Sequence, residues 1–154
     1  MGIGDYIKET KLIKQNFSFL FEQGFSIIHA EPARHFNNWL LDLASPSLRI
    51  QFSEDRTELN VLVGPKSART GWYEVNLWQL QLLVFHLTKD FNSAPRWFLT
   101  KNMEKAAKIL HSNFTQIFDL FQNNDYPTLV IELKKSRNIL RKHWDPEIPW
   151  KEDK

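Results

Sequence analysis

Two runs of alternating residues around a short charged turn constrain this chain more than any other part of it. Leu48-Arg49-Ile50-Gln51-Phe52 leads into Ser53-Glu54-Asp55-Arg56-Thr57, and Glu58-Leu59-Asn60-Val61-Leu62-Val63-Gly64-Pro65 follows. Apolar side chains at every second position put one face of an antiparallel pair against a core and leave the other face polar. Ile50 and Phe52 then share the buried face with residues drawn from Leu59, Val61 and Val63. A hairpin is thereby fixed in mid-chain, and whatever flanks it must cover that apolar face.

The flanks read mostly as helix. Over residues 5–23, Tyr6, Ile13, Phe17, Leu20 and Phe21 fall near one helical face, and Gly24 supplies a stop because glycine adopts the left-handed conformation freely. Residues 25–30 form a first strand, closed by Pro32. Residues 35–44 alternate like a strand but are also long enough for two helical turns. The strand is favoured because the hairpin follows immediately and consecutive strands usually pair. Residues 64–71 are small and polar, and form the most credible internal hinge. From 75 to 87 the apolar residues cover nearly the whole circumference of a helix, although a strand there is not ruled out by periodicity. Residues 101–121 keep a clear 3.6-residue period behind a capping Thr100, and a last helix runs over 127–143 with Pro127 in its first turn. The Pro-containing residues 145–154 are expected to be an extended tail. The whole is expected to be one α+β domain over 1–154: an antiparallel meander of about four strands, packed by helices from both ends of the chain.

Several classes of chemistry are excluded by what is missing. A chain of 154 residues without cysteine has no thiol nucleophile, thiolate metal site or disulfide, and fits a reducing compartment. Five glycines supply no phosphate-cradling loop, and no G-x-S-x-G, Walker or Rossmann pattern occurs. No cofactor is expected. The net charge of +2 gives no strong one-signed field. The first residues are charged rather than apolar, unlike a signal peptide, and the apolar stretch of residues 77–87 is too short to span a bilayer. A cytoplasmic location is the expectation.

Four groups of residues invite a functional reading. His29, Glu31 and His35 are the nearest approach to metal-ligand spacing, but polar residues on a strand edge account for them, and no metal is expected. Glu54, Asp55 and Glu58 surround Arg56 at the hairpin tip, where solvent leaves little reason for the pKa splitting that acid–base catalysis needs. Lys134, Lys135, Arg137, Arg141 and Lys142 make the last helix basic, which could serve phosphate binding but also describes an ordinary solvated face with cations near a helix C-terminus. Trp72, Tyr73, Trp97, Trp144 and Trp150 lie outside the clear helical stripes. Such residues either seal the core or anchor an interface.

The layout resembles small α+β proteins of uncharacterised bacterial families, some of which are immunity proteins of polymorphic toxin systems. The likeness rests on a leading helix ending in Gly24-Phe25, the strand runs at 48–52 and 59–63, and Asp55-Arg56 at their turn. It covers about the first two thirds of the chain and leaves out the Trp-containing tail. It implies a protein that acts by binding another protein, a toxin in the immunity case, and carries over no catalytic residue. The expected function is therefore a non-enzymatic protein-binding module, with Glu54, Asp55, Arg56, Trp72 and Tyr73 as its contact residues. The alternatives are a small enzyme or ligand-binding protein, and a nucleic-acid-associated protein using the basic last helix.

Overall fold

The computed structural model describes residues 8–31, 38–55, 58–94 and 103–149. Strands β1 (Ser26–Glu31), β2 (Trp39–Ala44), β3 (Leu48–Asp55), β4 (Glu58–Pro65) and β5 (Trp78–Gln79) form one antiparallel sheet whose strand order is the chain order. Helices α1 (Glu9–Asn16) and α2 (Ser18–Glu22) precede the sheet, and α3 (Leu80–Thr88), α4 (Met103–Gln122) and α5 (Tyr126–Trp144) follow it. This is the expected α+β meander with five strands instead of about four. The added strand is β5, where Val63 pairs with Trp78 and Leu62 with Gln79 before α3 begins at the next residue. Two residues are too few to show alternation, so their side chains merge into the helical pattern that follows.

The hairpin carries the expected register. Ile50 lies opposite Val63 and Phe52 opposite Val61, and on the other side Leu43 and Leu41 continue the same rows. Leu41, Phe52 and Val61 thus form one apolar row across the sheet, extended by Ala30 of β1. Leu43, Ile50, Val63 and Trp78 form the next. The strands run further than their hydrophobic pattern suggests. Ser53 pairs with Asn60 and Asp55 with Glu58, so the polar residues 53–55 belong to β3 rather than to the turn. They read as turn because two polar side chains on the outward face interrupt the apolar signal near the strand end.

Helices cover the apolar rows. The Phe17 ring sits 4.4 Å from that of Phe52, and α4 packs on β4 and α1 while α3 packs on α4 and α5. The leading helix is divided: Phe17, fully buried, takes φ −114° and ψ 33° between α1 and α2. The expected stop at Gly24 is there in full. Gly24 has φ 91°, its N–H donates to the Phe21 carbonyl and that of Phe25 to Leu20, the paired bonds that satisfy the last carbonyls of a helix. α5 starts on Asp125, whose carboxylate accepts from the Thr128 N–H at 3.2 Å. Of the tail expected to be extended, only residues 145–149 are described, and there the Ile148 N–H donates to the Asp145 carbonyl.

The other sheet face carries polar residues, yet Asp42, Gln51 and Ser53 are each about 3% exposed. The connection between β4 and β5 covers part of it. The residues expected to be a hinge are fastened down: Ala68 is buried, and Gly71 is hydrogen-bonded to the sheet. Gly64 lets this connection come close, since a Cβ there would collide with the Asn76 carbonyl oxygen. β1 lies at the sheet edge and carries a bulge between Ile27 and His29, a device that discourages further pairing on that edge.

Candidate functional site

The residues that shape the molecule's most distinctive surface begin with a buried carboxylate. Asp42 of β2 points out of the polar face and meets Gln51 directly opposite on β3. The Gln51 amide donates to Asp42 Oδ1 and to the Gly71 carbonyl oxygen, both at 2.8 Å, and the Gly71 N–H donates to Asp42 Oδ2 at 2.9 Å. Three groups thus satisfy one another where water is largely excluded. Beside them His29 Nε2 lies 3.0 Å from Glu31 Oε2. Burial raises the Asp42 pKa above its ordinary 3.8. The bonds from Gly71 and Gln51 and the nearby His29 oppose the rise without cancelling it, and Glu31 adds to it.

The sign of the pH effect follows. Between 3.8 and its raised folded value, Asp42 binds more proton in the native than in the unfolded chain. Its contribution to stability is therefore full below the unfolded pKa and declines as pH rises through the folded one. Urea melts between about pH 4 and 7 should show wild type losing ground to Asp42→Asn as pH rises, because the amide carries no charge to bury. A difference between the two that is flat in pH would mean that Asp42 is not titrating as a buried group.

The latch fixes what comes next in the chain. Tyr73 has φ 69°, a left-handed conformation that side chains other than glycine seldom adopt, and is 96% exposed; Val75 is 81% exposed. Glu74 anchors the same loop by accepting from the Arg69 and Asn76 N–H groups. Its slight burial raises its pKa, and these bonds outweigh that, so the pKa falls below the ordinary value. On the far side, Tyr126 of α5 donates to Asn76 Oδ1 and accepts from the Trp78 indole, both at 3.1 Å, and burial raises its pKa. The loop is held at both ends, with an aromatic ring presented to solvent between them.

Tyr73 stands at the rim of a cleft of about 790 Å³ between the β4 edge, β5 and the C-terminal half of α5. Glu58 and Asn60 of β4 and Arg137 and Arg141 of α5 are among its lining residues. The Arg137 guanidinium lies 5.2 Å from the centre of the Trp78 ring, a cation–π contact that holds it over the apolar floor.

The expected contact residues are scattered. Glu54 accepts the Trp39 indole N–H at 3.1 Å and Asp55 accepts from the Asn38 amide at 3.1 Å, so both carboxylates brace the β2–β3 pair. Arg56 lies outside the described residues, as do His35, Thr100, Trp97 and Trp150. Trp72 is half-buried beside Tyr73. The cleft brings Tyr73 together with Glu58, the first residue after the hairpin turn, and not with Glu54. Sequence reasoning missed the Asp42–Gln51–Gly71 latch. A charged residue inside the apolar run Trp39–Ala44 was the one available signal. The basic helix is distributed: Lys135 pairs with Glu132, His143 stacks on Phe91, and Arg137 covers Trp78.

His86 Nδ1 lies 2.7 Å from the Ser136 hydroxyl, with Lys89 Nζ 3.4 Å from both. A serine beside a neutral histidine can be a nucleophile, and burial together with Lys89 does lower the His86 pKa, with Glu132 opposing. Ser136 is buried where α3 meets α5 and does not line the cleft, so the contact works as a bond between helices. Among the described residues no group of His, Asp and Glu is arranged to hold a metal, and no helix is long and apolar enough to cross a membrane. Comparison of the chain with protein-family models, with curated proteins and with solved structures yields no match.

Proposed function

We propose that the chain is a non-enzymatic module that binds another protein, as the resemblance to immunity proteins implies, and that Tyr73 is the centre of its contact surface. One observation carries this reading: a tyrosine is held almost fully exposed in a left-handed conformation on a loop fastened to the sheet. Such backbone conformations cost about 1–3 kcal/mol and persist where the surroundings over-determine them, often at functional positions. Folding gains nothing from the exposed ring. A partner that buried it would meet a loop whose backbone is already hydrogen-bonded on both sides of the ring, and tyrosine is enriched among residues that dominate binding energy. Val75 adds apolar area beside it, and Glu58 and Arg141 supply charges of both signs at the rim.

The test is titration calorimetry with a partner captured from the native lysate. Tyr73→Ala should weaken binding by about 2 kcal/mol or more with an unchanged circular dichroism spectrum. Equal affinity for the two proteins would move the contact surface elsewhere. Turnover of a small molecule that is lost on Glu58→Gln would replace the binding reading with the enzymatic one.

A further inference from the structure

We propose that the cleft is a binding site for a small uncharged molecule that carries an amide on an apolar body, and that Gln81 recognises the amide. Such a site is independent of the protein-binding reading, which concerns Tyr73 at the rim. Gln81, in the first turn of α3, is 8% exposed and lines the cleft. A glutamine so deep is ordinarily held by hydrogen bonds, as Gln51 is by Asp42 and Gly71. The Gln81 carboxamide is bonded to no other described residue. Nor is it sealed in. Its nitrogen and oxygen keep contact with solvent, unlike the buried, unpartnered Thr10 Oγ1 and Asn138 Oδ1. The opening it reaches is the cleft.

The surroundings narrow the occupant. α3 starts at Leu80 with no side-chain cap, and its first-turn N–H groups have no partner within the helix. Gln79, Gln81 and Leu82 of this helix start line the cleft. A helix start favours a hydrogen-bond acceptor. The charged groups of the lining do not call for an ion. Arg137 and Arg141 already have partners, and the carboxylates of Glu58 and Glu74 would repel an anion. An uncharged acceptor remains, a carbonyl oxygen. Gln81 offers both N–H and C=O, so the group that satisfies it whole presents a carbonyl beside an N–H, which is an amide. Leu82, Leu140 and Trp78 supply apolar lining for the rest of the molecule. The volume of about 790 Å³ falls within the range of small-molecule sites.

The test titrates the whole nitrogen-labelled protein with benzamide, benzoate and toluene, and follows amide NMR shifts. The three probes share a ring and differ in the group offered to Gln81. Benzamide should move the Gln81 side-chain amide and the backbone amides of residues 81 and 82. It should saturate in the millimolar range, as suits a ligand of about nine non-hydrogen atoms. Benzoate and toluene should bind about tenfold more weakly or worse, the worth of one hydrogen bond. Gln81→Met should weaken benzamide about tenfold and leave toluene unchanged. Thermal unfolding of this variant separates recognition from a structural role. Its Tm should equal or exceed that of wild type, because no bond within the fold is lost and a buried polar group is replaced by an apolar one. Four results each overturn the amide site: benzoate binding as tightly as benzamide, toluene doing so, no shift at residues 81 and 82, or a lowered Tm for Gln81→Met.

Discussion

Phe52→Ala should lower the unfolding free energy by about 3–5 kcal/mol, the range for emptying a buried phenylalanine site. Phe52 is fully buried in the middle of a cross-sheet row, between Leu41 and Val61, with the Phe17 ring against it. Alanine removes the transfer free energy of the ring and leaves a cavity. That cavity is flanked by Leu41 and Val61 in the sheet and by Phe17, where the leading helix breaks between α1 and α2, so collapse around it is limited. Arg49 is three positions earlier on the opposite face, half-buried, with one long bond of 3.5 Å to the Ser45 carbonyl. Arg49→Ala should cost less than about 1 kcal/mol. Urea melts of the two variants decide the matter: comparable losses would show that the two faces are not distinguished as the register requires.

The second large effect is expected from adding one carbon. In Gly64→Ala the new methyl meets the Asn76 carbonyl oxygen, with a Leu77 methyl close behind. The first obstacle is backbone and has no rotamer by which to move away. Either β4 shifts or the connection carrying Tyr73 lifts from the sheet, and we expect a loss of about 3 kcal/mol, the upper end for overpacking. Thermal unfolding measures the loss. Partner titration on the same variant shows which element gave way, because lifting the loop would disturb Tyr73 whereas a shift confined to the β3–β4 pair would not. A loss below about 1 kcal/mol would mean that the approach of Asn76 to Gly64 is loose.

The sheet was legible because its information is local. Ile50, Phe52, Val61 and Val63 announce their face by a period of two, and Gly24 announces the end of α2 by its freedom at positive φ. Helix α4 was legible for the same reason: Leu110, Ile117 and Phe121 repeat at helical spacing and are buried. The candidate site was not legible, because it is made by contacts between distant parts of the chain. Asp42 and Gly71 are far apart in sequence, and nothing in either segment says that one accepts the other's N–H. That bond fastens the chain two residues before the exposed Tyr73. The partners of Glu54 and Asp55 were hidden for a related reason. Asp55 is exposed as expected, but the indole of Trp39 and the amide of Asn38 that the two carboxylates accept from lie across the strand, where the local sequence does not show them. β5 was hidden by its length, since two residues carry no period.

Strand order equal to chain order also governs how this molecule reaches its native state. Every pairing in the sheet joins neighbours in sequence, so no long loop must be closed before a strand finds its partner, and the entropy lost at each closure is modest. Topologies built from such local pairings fold faster than those that must first bring distant strands together. The order of synthesis sharpens the consequence. The β1–β4 portion of the meander can assemble while α4 and α5 are still being made, and during that interval the row of Leu41, Phe52 and Val61 has only α1 and α2 to cover it. The arrival of α4, which packs on β4 and meets α1, ends the period in which the nascent chain is most exposed to aggregation.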